Sequence, residues 1–286
     1  MRVVRPGATD PDLERLRDGL RQLGRVVVAF SGGADSAFLA WTATDALGPD
    51  RVLCATAVSP SLAPEERADC EALVAEWGLR WISVETDELA NPGYSANDGT
   101  RCYHCKAELM AVVGPIAAAE GAVIALGVNL DDLGDHRPGQ QAAQEGGAVF
   151  PLVEAGFTKA DVRAASKLLG LRTWDKPAAA CLASRVPYGT PVTLGVLDSV
   201  ARAESALRLL GFGQLRVRHY GELARIELDG DELARAVECR EAIVAAVREA
   251  GYAYVTLDLE GFRTGNLNRS LAAASGANGA LEREHR

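Results

Sequence analysis

Val26-Val27-Val28-Ala29-Phe30 is apolar without interruption, rich in β-branched residues, and ended abruptly by Ser31-Gly32-Gly33. A run so short and so uniformly apolar predicts a strand buried on both faces, the kind found in parallel sheets. The theme repeats along the chain. Asp35 to Leu47 predicts a helix, Arg51 to Val58 a strand, Pro64 to Trp77 a helix with proline near its first turn, and Trp81 to Glu85 another strand. Upstream, Leu13, Leu16, Leu20 and Leu23 share one face of a helix expected from Pro11 to Leu23. Downstream, helices are expected from about Lys106 to Glu120 and from Thr158 to Leu169, with a strand at Ala122 to Gly127 between them. Such alternation requires parallel strands joined by crossover helices, so the expected class is α/β, a parallel sheet with helices on both faces.

The alternation ends near Arg172, and residues 1–172 are expected to form the first domain. Residues 173–194 carry prolines and glycines without periodicity. That stretch exceeds most connections in compact domains, which marks it as an active-site loop or linker. Residues 195–262 read as a smaller α+β domain. Its elements are a helix at Gly195 to Leu210, a hairpin of Gln214 to His219 with Leu223 to Leu228 turning at Tyr220-Gly221-Glu222, a helix at Asp231 to Glu249 and a strand at Tyr252 to Leu257. Residues 263–286, rich in Gly, Ala and charge, are expected to be a flexible tail.

Charge excludes some classes of partner. The 286 residues carry 30 Lys and Arg against 39 Asp and Glu, a net charge of −9. A general nucleic-acid or anionic-membrane binder needs a basic surface, so neither partner is expected, although a local basic pocket for phosphates remains open. No run approaches the roughly 18 apolar residues of a membrane helix, and Met1 to Asp10 lacks the apolar stretch of a secretory signal. A cytoplasmic enzyme is the expectation.

The six cysteines divide into two groups. Cys54 falls in an apolar run, and Cys70 and Cys239 sit in helix-like segments, where buried or incidental thiols are expected. Cys102 and Cys105 form a Cys-x-x-Cys pair in Arg101-Cys102-Tyr103-His104-Cys105-Lys106, and Cys181 precedes Ser184-Arg185-Val186-Pro187-Tyr188-Gly189. Arg101 and Lys106 favour a thiolate beside them. No second Cys-x-x-Cys and no second histidine near His104 complete a zinc set.

Ser31-Gly32-Gly33-Ala34-Asp35-Ser36 lies between the first strand and its helix. Two glycines permit a tight turn, and successive N–H groups at a helix start can face an anion. A simple capped turn and a phosphate cradle both remain open on the residues alone. The loop lacks the spacing of Walker and dinucleotide sites. It resembles the Ser-Gly-Gly-x-Asp-Ser loop of the PP-loop, or N-type, ATP pyrophosphatases, which have an adenine nucleotide alpha hydrolase-like fold. That resemblance implies cleavage of ATP between its α- and β-phosphates. Ala29, Ser31, Gly32, Gly33, Asp35, Ser36 and Val58 would then surround the nucleotide, with Asp35 as a ligand of Mg²⁺ and Val58 near the adenine.

Further motifs narrow the likeness. Gly127-Val128-Asn129-Leu130-Asp131-Asp132-Leu133-Gly134-Asp135 follows a strand on the same edge of the sheet. With Arg101 to Lys106, Trp174-Asp175-Lys176-Pro177, Cys181 to Gly189, and Arg216-Val217-Arg218-His219, it resembles the LarE family from about Leu13 to Leu257. LarE proteins are sulfur transferases that use ATP to adenylate the carboxylates of a pyridinium dicarboxylate nucleotide and turn them into thiocarboxylates during nickel-pincer nucleotide biosynthesis. The resemblance adds Lys106, Gly127 and Asp131 to the ATP site, and Arg101, Asp132, Ser184, Arg185, Arg216 and Arg218 to the substrate and its phosphate. Glu204 and Glu227 are carried over as metal-binding carboxylates, and a hexameric homo-oligomer is implied. Two sulfur sources occur in the family. In one, Cys102, Cys105 and Cys181 would hold a 4Fe-4S cluster with one iron open; in the other, Cys181 gives up its own sulfur. Transfer-RNA thiolation, which the acidic charge disfavours, and amide synthesis, which would leave the three cysteines idle, are the rival chemistries.

Overall fold

The computed structural model describes residues 11–133, 138–177 and 180–263. Gly134 and Asp135 of the second loop motif and the expected tail from residue 264 onward lie outside the described residues. The chain divides into two compact units, one of residues up to Glu88 and from Cys102 to Ala179, the other of Leu89–Arg101 and the chain from Ala180.

The first unit opens with helix α1 (Pro11–Leu23), strand β1 (Val26–Ala29), α2 (Ala34–Leu47), β2 (Val52–Val58), α3 (Pro64–Trp77) and β3 (Trp81–Glu85). After the short helix α4 (Pro92–Ser95) of the other unit come α5 (Arg101–Glu120), β4 (Val123–Leu126), α6 (Pro138–Glu145), α7 (Pro151–Glu154) and α8 (Lys159–Leu168). The sheet has the order β3-β2-β1-β4, and every pairing is parallel, as expected of β-branched runs connected by helices.

The side-chain period of two sends alternate residues of each strand into different cores. Val26, Val28, Val52 and Cys54 pack with Leu16, Leu20, Phe38, Leu39, Leu73 and Val162, from α1, α2, α3 and α8. Val27, Leu53 and Ala55 pack on the opposite face with Leu109, Met110 and Val113 of α5 and Ala143 of α6. Helices therefore cover both faces.

In the second unit, α9 (Leu194–Leu209) is followed by β5 (Leu215–Tyr220), β6 (Leu223–Leu228), α10 (Leu233–Glu238), α11 (Arg240–Glu249) and β7 (Tyr254–Leu257). β5 and β6 form the expected hairpin, Tyr220 opposite Leu223, with Gly221 at a φ of 65° in the turn. β7 adds to β6 in parallel, giving a mixed sheet.

Three expectations of detail are corrected. Helix α5 starts at Arg101, so the Cys-x-x-Cys pair lies in its first turn; Asp98 Oδ1 accepts from the N–H and hydroxyl of Thr100, at 2.7 and 2.6 Å, and shapes the helix entry. The helix expected over Asp231 to Glu249 is broken at Cys239, which takes φ −89° and ψ 12° between α10 and α11. Tyr252 precedes its strand and is buried instead, its hydroxyl 3.2 Å from His219 Nδ1. Helices α4, α6 and α7 had no counterpart in the sequence reading, although each opens on a proline, a residue suited to the first helical position.

Candidate functional site

β1 is flanked by β2 on one side and β4 on the other, so the chain leaves β1 for one half of the sheet and β4 occupies the other half. In open α/β sheets the ligand crevice lies at this switch, beyond the carboxyl ends of the strands. The loop Ser31-Gly32-Gly33 and the segment beginning at Gly127 both leave the sheet there.

Their backbones touch. A Cβ placed on Gly127 would lie 2.8 Å from Ser36 N and 2.9 Å from the Asp35 carbonyl carbon. Only glycine lets the end of β4 approach the start of α2 so closely. Asn129, fully buried, then ties the loops together: its Nδ2 donates to Asp35 Oδ1 at 3.2 Å, while its Oδ1 accepts from Asp131 N at 3.0 Å. Asp132 Oδ2 accepts from Asn129 N at 3.2 Å. Asp131 Oδ2 accepts from Lys159 N at 2.8 Å, at the start of α8.

Gly33 caps α2 with no side-chain hydrogen bond, and the first N–H groups of a helix have no partner within it. The hydroxyls of Ser31 and Ser36 lie 3.1 Å apart, and Ser36 Oγ donates to Gly33 O at 3.2 Å, which braces the loop from within. Burial pushes the Asp35 carboxyl above its usual range. Lys159 counters that effect, Asp132 adds to it, and Asn129 and Arg163 oppose it. Asn129 stood in the loop motif with no role assigned to it; Lys159 and Arg163 of α8 escaped the sequence reading. Nothing local in the sequence marks them, because their relation to Asp35 arises only when α8 packs beside α2.

Of the remaining residues assigned to ATP, Ala29 and Val58 are half-buried at the ends of β1 and β2, and Lys106 is half-buried on α5. The cysteines separate by burial. Cys54 and Cys70 are buried thiols, which burial pushes up to about 12 and about 11 respectively. Cys102 and Cys181 are exposed, and Cys105 and Cys239 are half-buried. Cys102 and Cys105 are three residues apart in α5 and so share a helix face. A Cβ on Gly139 of α6 would meet Cys102 O at 2.9 Å, so α6 rests directly on this turn. Cys181 belongs to the other unit. Among the described residues no three His, Cys, Asp or Glu side chains are gathered as a metal would require.

In the second unit Arg185 is buried and forks onto Glu204, Nε to Oε1 at 2.8 Å and Nη2 to Oε2 at 2.9 Å. Its Nη1 donates to the carbonyls of Ala180 and Cys181, at 2.6 and 3.1 Å, and to Ser184 Oγ at 3.1 Å. The guanidinium thus grips the backbone on which Cys181 stands. Arg218 donates to Ser184 O at 2.9 Å and to Glu227 Oε2 at 2.8 Å, and its buried Nε finds no partner. Arg216 lies with Arg218 on the face of β5 opposite Val217. Burial, reinforced by Arg185, lowers its guanidinium to about 10, which leaves it charged at neutral pH. Glu204 and Glu227 engage arginines here: Arg185 and Arg208 meet the first, Arg218 and Arg225 the second. Burial opposes the ionised form of Glu204, but the hydrogen bond and charge of Arg185 prevail and hold its carboxyl below the usual range.

No protein-family model matches the chain. A protein of Synechocystis described as uncharacterized is 48% identical over 263 residues, covering 91% of this chain and 97% of that protein. The pyridinium-3,5-bisthiocarboxylic acid mononucleotide synthase of Lactiplantibacillus plantarum is 38% identical over 256 residues, 89% of this chain and 93% of the synthase. An uncharacterized Methanocaldococcus jannaschii protein is 25% identical over 241 residues, 84% of this chain. With identity at this level to the synthase across nearly the whole of both chains, the protein belongs to the LarE family.

Proposed function

We propose that the protein is an ATP-dependent sulfur transferase that converts the carboxylates of a pyridinium dicarboxylate mononucleotide into thiocarboxylates, for a nickel-pincer nucleotide cofactor. The likeness to the synthase supports this product over transfer-RNA thiolation or amide formation. The observation that carries the ATP reading is the junction of Gly127 and Asn129 with Asp35, which brings two loops and an uncapped helix N-terminus to the switch point of the sheet.

A carboxylate oxygen of the substrate attacks the α-phosphorus of ATP, and pyrophosphate leaves against the N–H groups of the Ser31 to Asp35 loop. A sulfur nucleophile then attacks the acyl carbon and AMP departs, a leaving group far better than the original oxygen. The raised carboxyl of Asp35, with Asp132 beside it, suits a hard cation, and these two would hold Mg²⁺, whose charge offsets that of the phosphates. In the second unit, the buried Nε of Arg218 has no partner, which suits the phosphate of a mononucleotide.

The thiolates of Cys102, Cys105 and Cys181 have the right donor chemistry for a 4Fe-4S cluster. Such a cluster, held by these three cysteines, would supply an exchangeable sulfide for the acyl-adenylate. A second reading is favoured by the exposure of Cys181 and the grip of Arg185 on its backbone. Here the Cys181 thiolate displaces AMP to give a thioester. Loss of the Cα proton then expels the thiocarboxylate with the C–S electron pair and leaves dehydroalanine.

An anaerobic preparation, assayed for iron, sulfide and intact mass before and after turnover with ATP, separates the two. About four irons per chain and an unchanged mass support the cluster. Iron-free protein that loses the elements of H₂S at Cys181 supports the sacrificial route. Absence of AMP and pyrophosphate overturns both.

A further inference from the structure

Lys176 stands in the Trp174-Asp175-Lys176-Pro177 segment, and its ammonium reaches the loop after β1. Nζ donates to Gly32 O at 3.1 Å, to Glu66 Oε2 at 2.9 Å and to Asp69 Oδ2 at 2.6 Å. An ammonium has three donors, and all are committed, so Lys176 has none left for a phosphate. Its anchor is itself held: Arg172 pairs with Asp69 Oδ1 at 2.7 Å and with Glu76 Oε2 at 2.8 Å. The side chain of Lys176 is only 15% exposed; burial opposes its charge, but the bonds to Asp69 and Glu66 keep its pKa above the ordinary value.

Gly32 is equally constrained. It takes a φ of 68°, and a Cβ there would lie 2.8 Å from Cys70 Sγ, so α3 forms a floor under it. In a planar trans peptide the C=O of one residue and the N–H of the next point in opposite directions. Fixing Gly32 O toward Lys176 and α3 therefore directs the N–H of Gly33 away from α3.

We infer that Lys176 is a positioning residue for the phosphate loop, holding the Gly32 carbonyl so that the Gly33 amide faces the pyrophosphate portion of ATP. This rests on the ATP reading above. Lys176 acts through the peptide and does not touch the ligand. Its loss frees that peptide to rotate, takes the ammonium from Glu66 and leaves Asp69 with Arg172 alone.

The test measures binding of Mg-pyrophosphate and of AMP to full-length wild type, Lys176→Met and Lys176→Arg. Lys176→Met should weaken pyrophosphate about tenfold or more, the scale of one strong hydrogen bond, and leave AMP within about twofold. Lys176→Arg should restore most of the loss. An equal loss for both ligands would indicate a merely structural role and overturn the inference, as would unchanged pyrophosphate affinity in Lys176→Met. Asp69→Asn, which keeps the lysine and loosens its anchor, is read the same way if Lys176→Met does not fold. Wild type that binds neither ATP nor pyrophosphate removes the ATP reading and this inference together; wild-type binding with an unaffected variant removes the inference alone.

Discussion

Asn129 Nδ2 donates to Asp35 Oδ1 at 3.2 Å, across 94 residues of sequence. The bond joins the segment after β4 to the first turn of α2, and it favours the ionised form of a carboxyl that burial otherwise pushes toward protonation. Burial still prevails over this bond, so the ionised form of Asp35 is held at some cost to the fold.

That cost has a sign. The folded-state pKa of Asp35 is raised, so the carboxylate begins to destabilise the fold as pH rises past the unfolded value near 4, and the penalty is complete above the folded value. Asp35→Asn should therefore raise Tm at pH 7, with the gain vanishing in acid. Release of pyrophosphate from ATP should fall by about 100-fold or more. Thermal unfolding at two pH values alongside a pyrophosphate assay checks both, and full activity in the variant would remove Asp35 from the ATP site.

Gly127→Ala places its Cβ against backbone of α2, which has no flexible end to move aside. Overpacking of this kind costs about 1–3 kcal/mol. The expected result is a lower urea midpoint together with loss of ATP–pyrophosphate exchange, because the two loops are forced apart.

Gly139→Val would press on the Cys102 carbonyl and so displace the Cys-x-x-Cys turn. Sulfur transfer should drop while adenylation, measured as AMP formation in a single turnover, remains within about twofold of wild type. Equal loss of both would mean that the turn does not separate the two half-reactions.

Glu204→Ala leaves Arg185 without the carboxylate that holds it, in a fully buried setting. Breaking a buried pair in this way costs about 3–5 kcal/mol, readable by urea denaturation. The Glu204 carboxyl lies below its usual range when folded, so its contribution is present above the unfolded value near 4.3 and is lost as pH falls through the folded value. Glu204→Gln should accordingly show a shallower decline of stability in acid than wild type.

Local pattern reached far in the first unit. The apolar run from Val26, the punctuation of Ser31-Gly32-Gly33, and Pro64 at a helix start placed β1, α2 and α3 within a residue or so. It failed where a helix begins on polar residues: the entry to α5 is built by Asp98 and Thr100 and carries no apolar period until later in the helix. Arg216 and Arg218, two residues apart, share one face of β5. Their burial beside Glu204 and Glu227 was invisible, since it depends on α9 and β6.

The sequence by itself determined the kinds of element, the parallel sheet they imply and the family to which the chain belongs, because periodicity and short motifs are properties of neighbouring residues. Only the tertiary structure decided which residues meet. The order β3-β2-β1-β4 sets Gly127 against Ser36 and Asn129 against Asp35, and the packing of Lys176 beside α3 fixes the peptide at Gly32. Those contacts join residues roughly a hundred positions apart, and their geometry follows from strand order and helix packing, which no local pattern encodes.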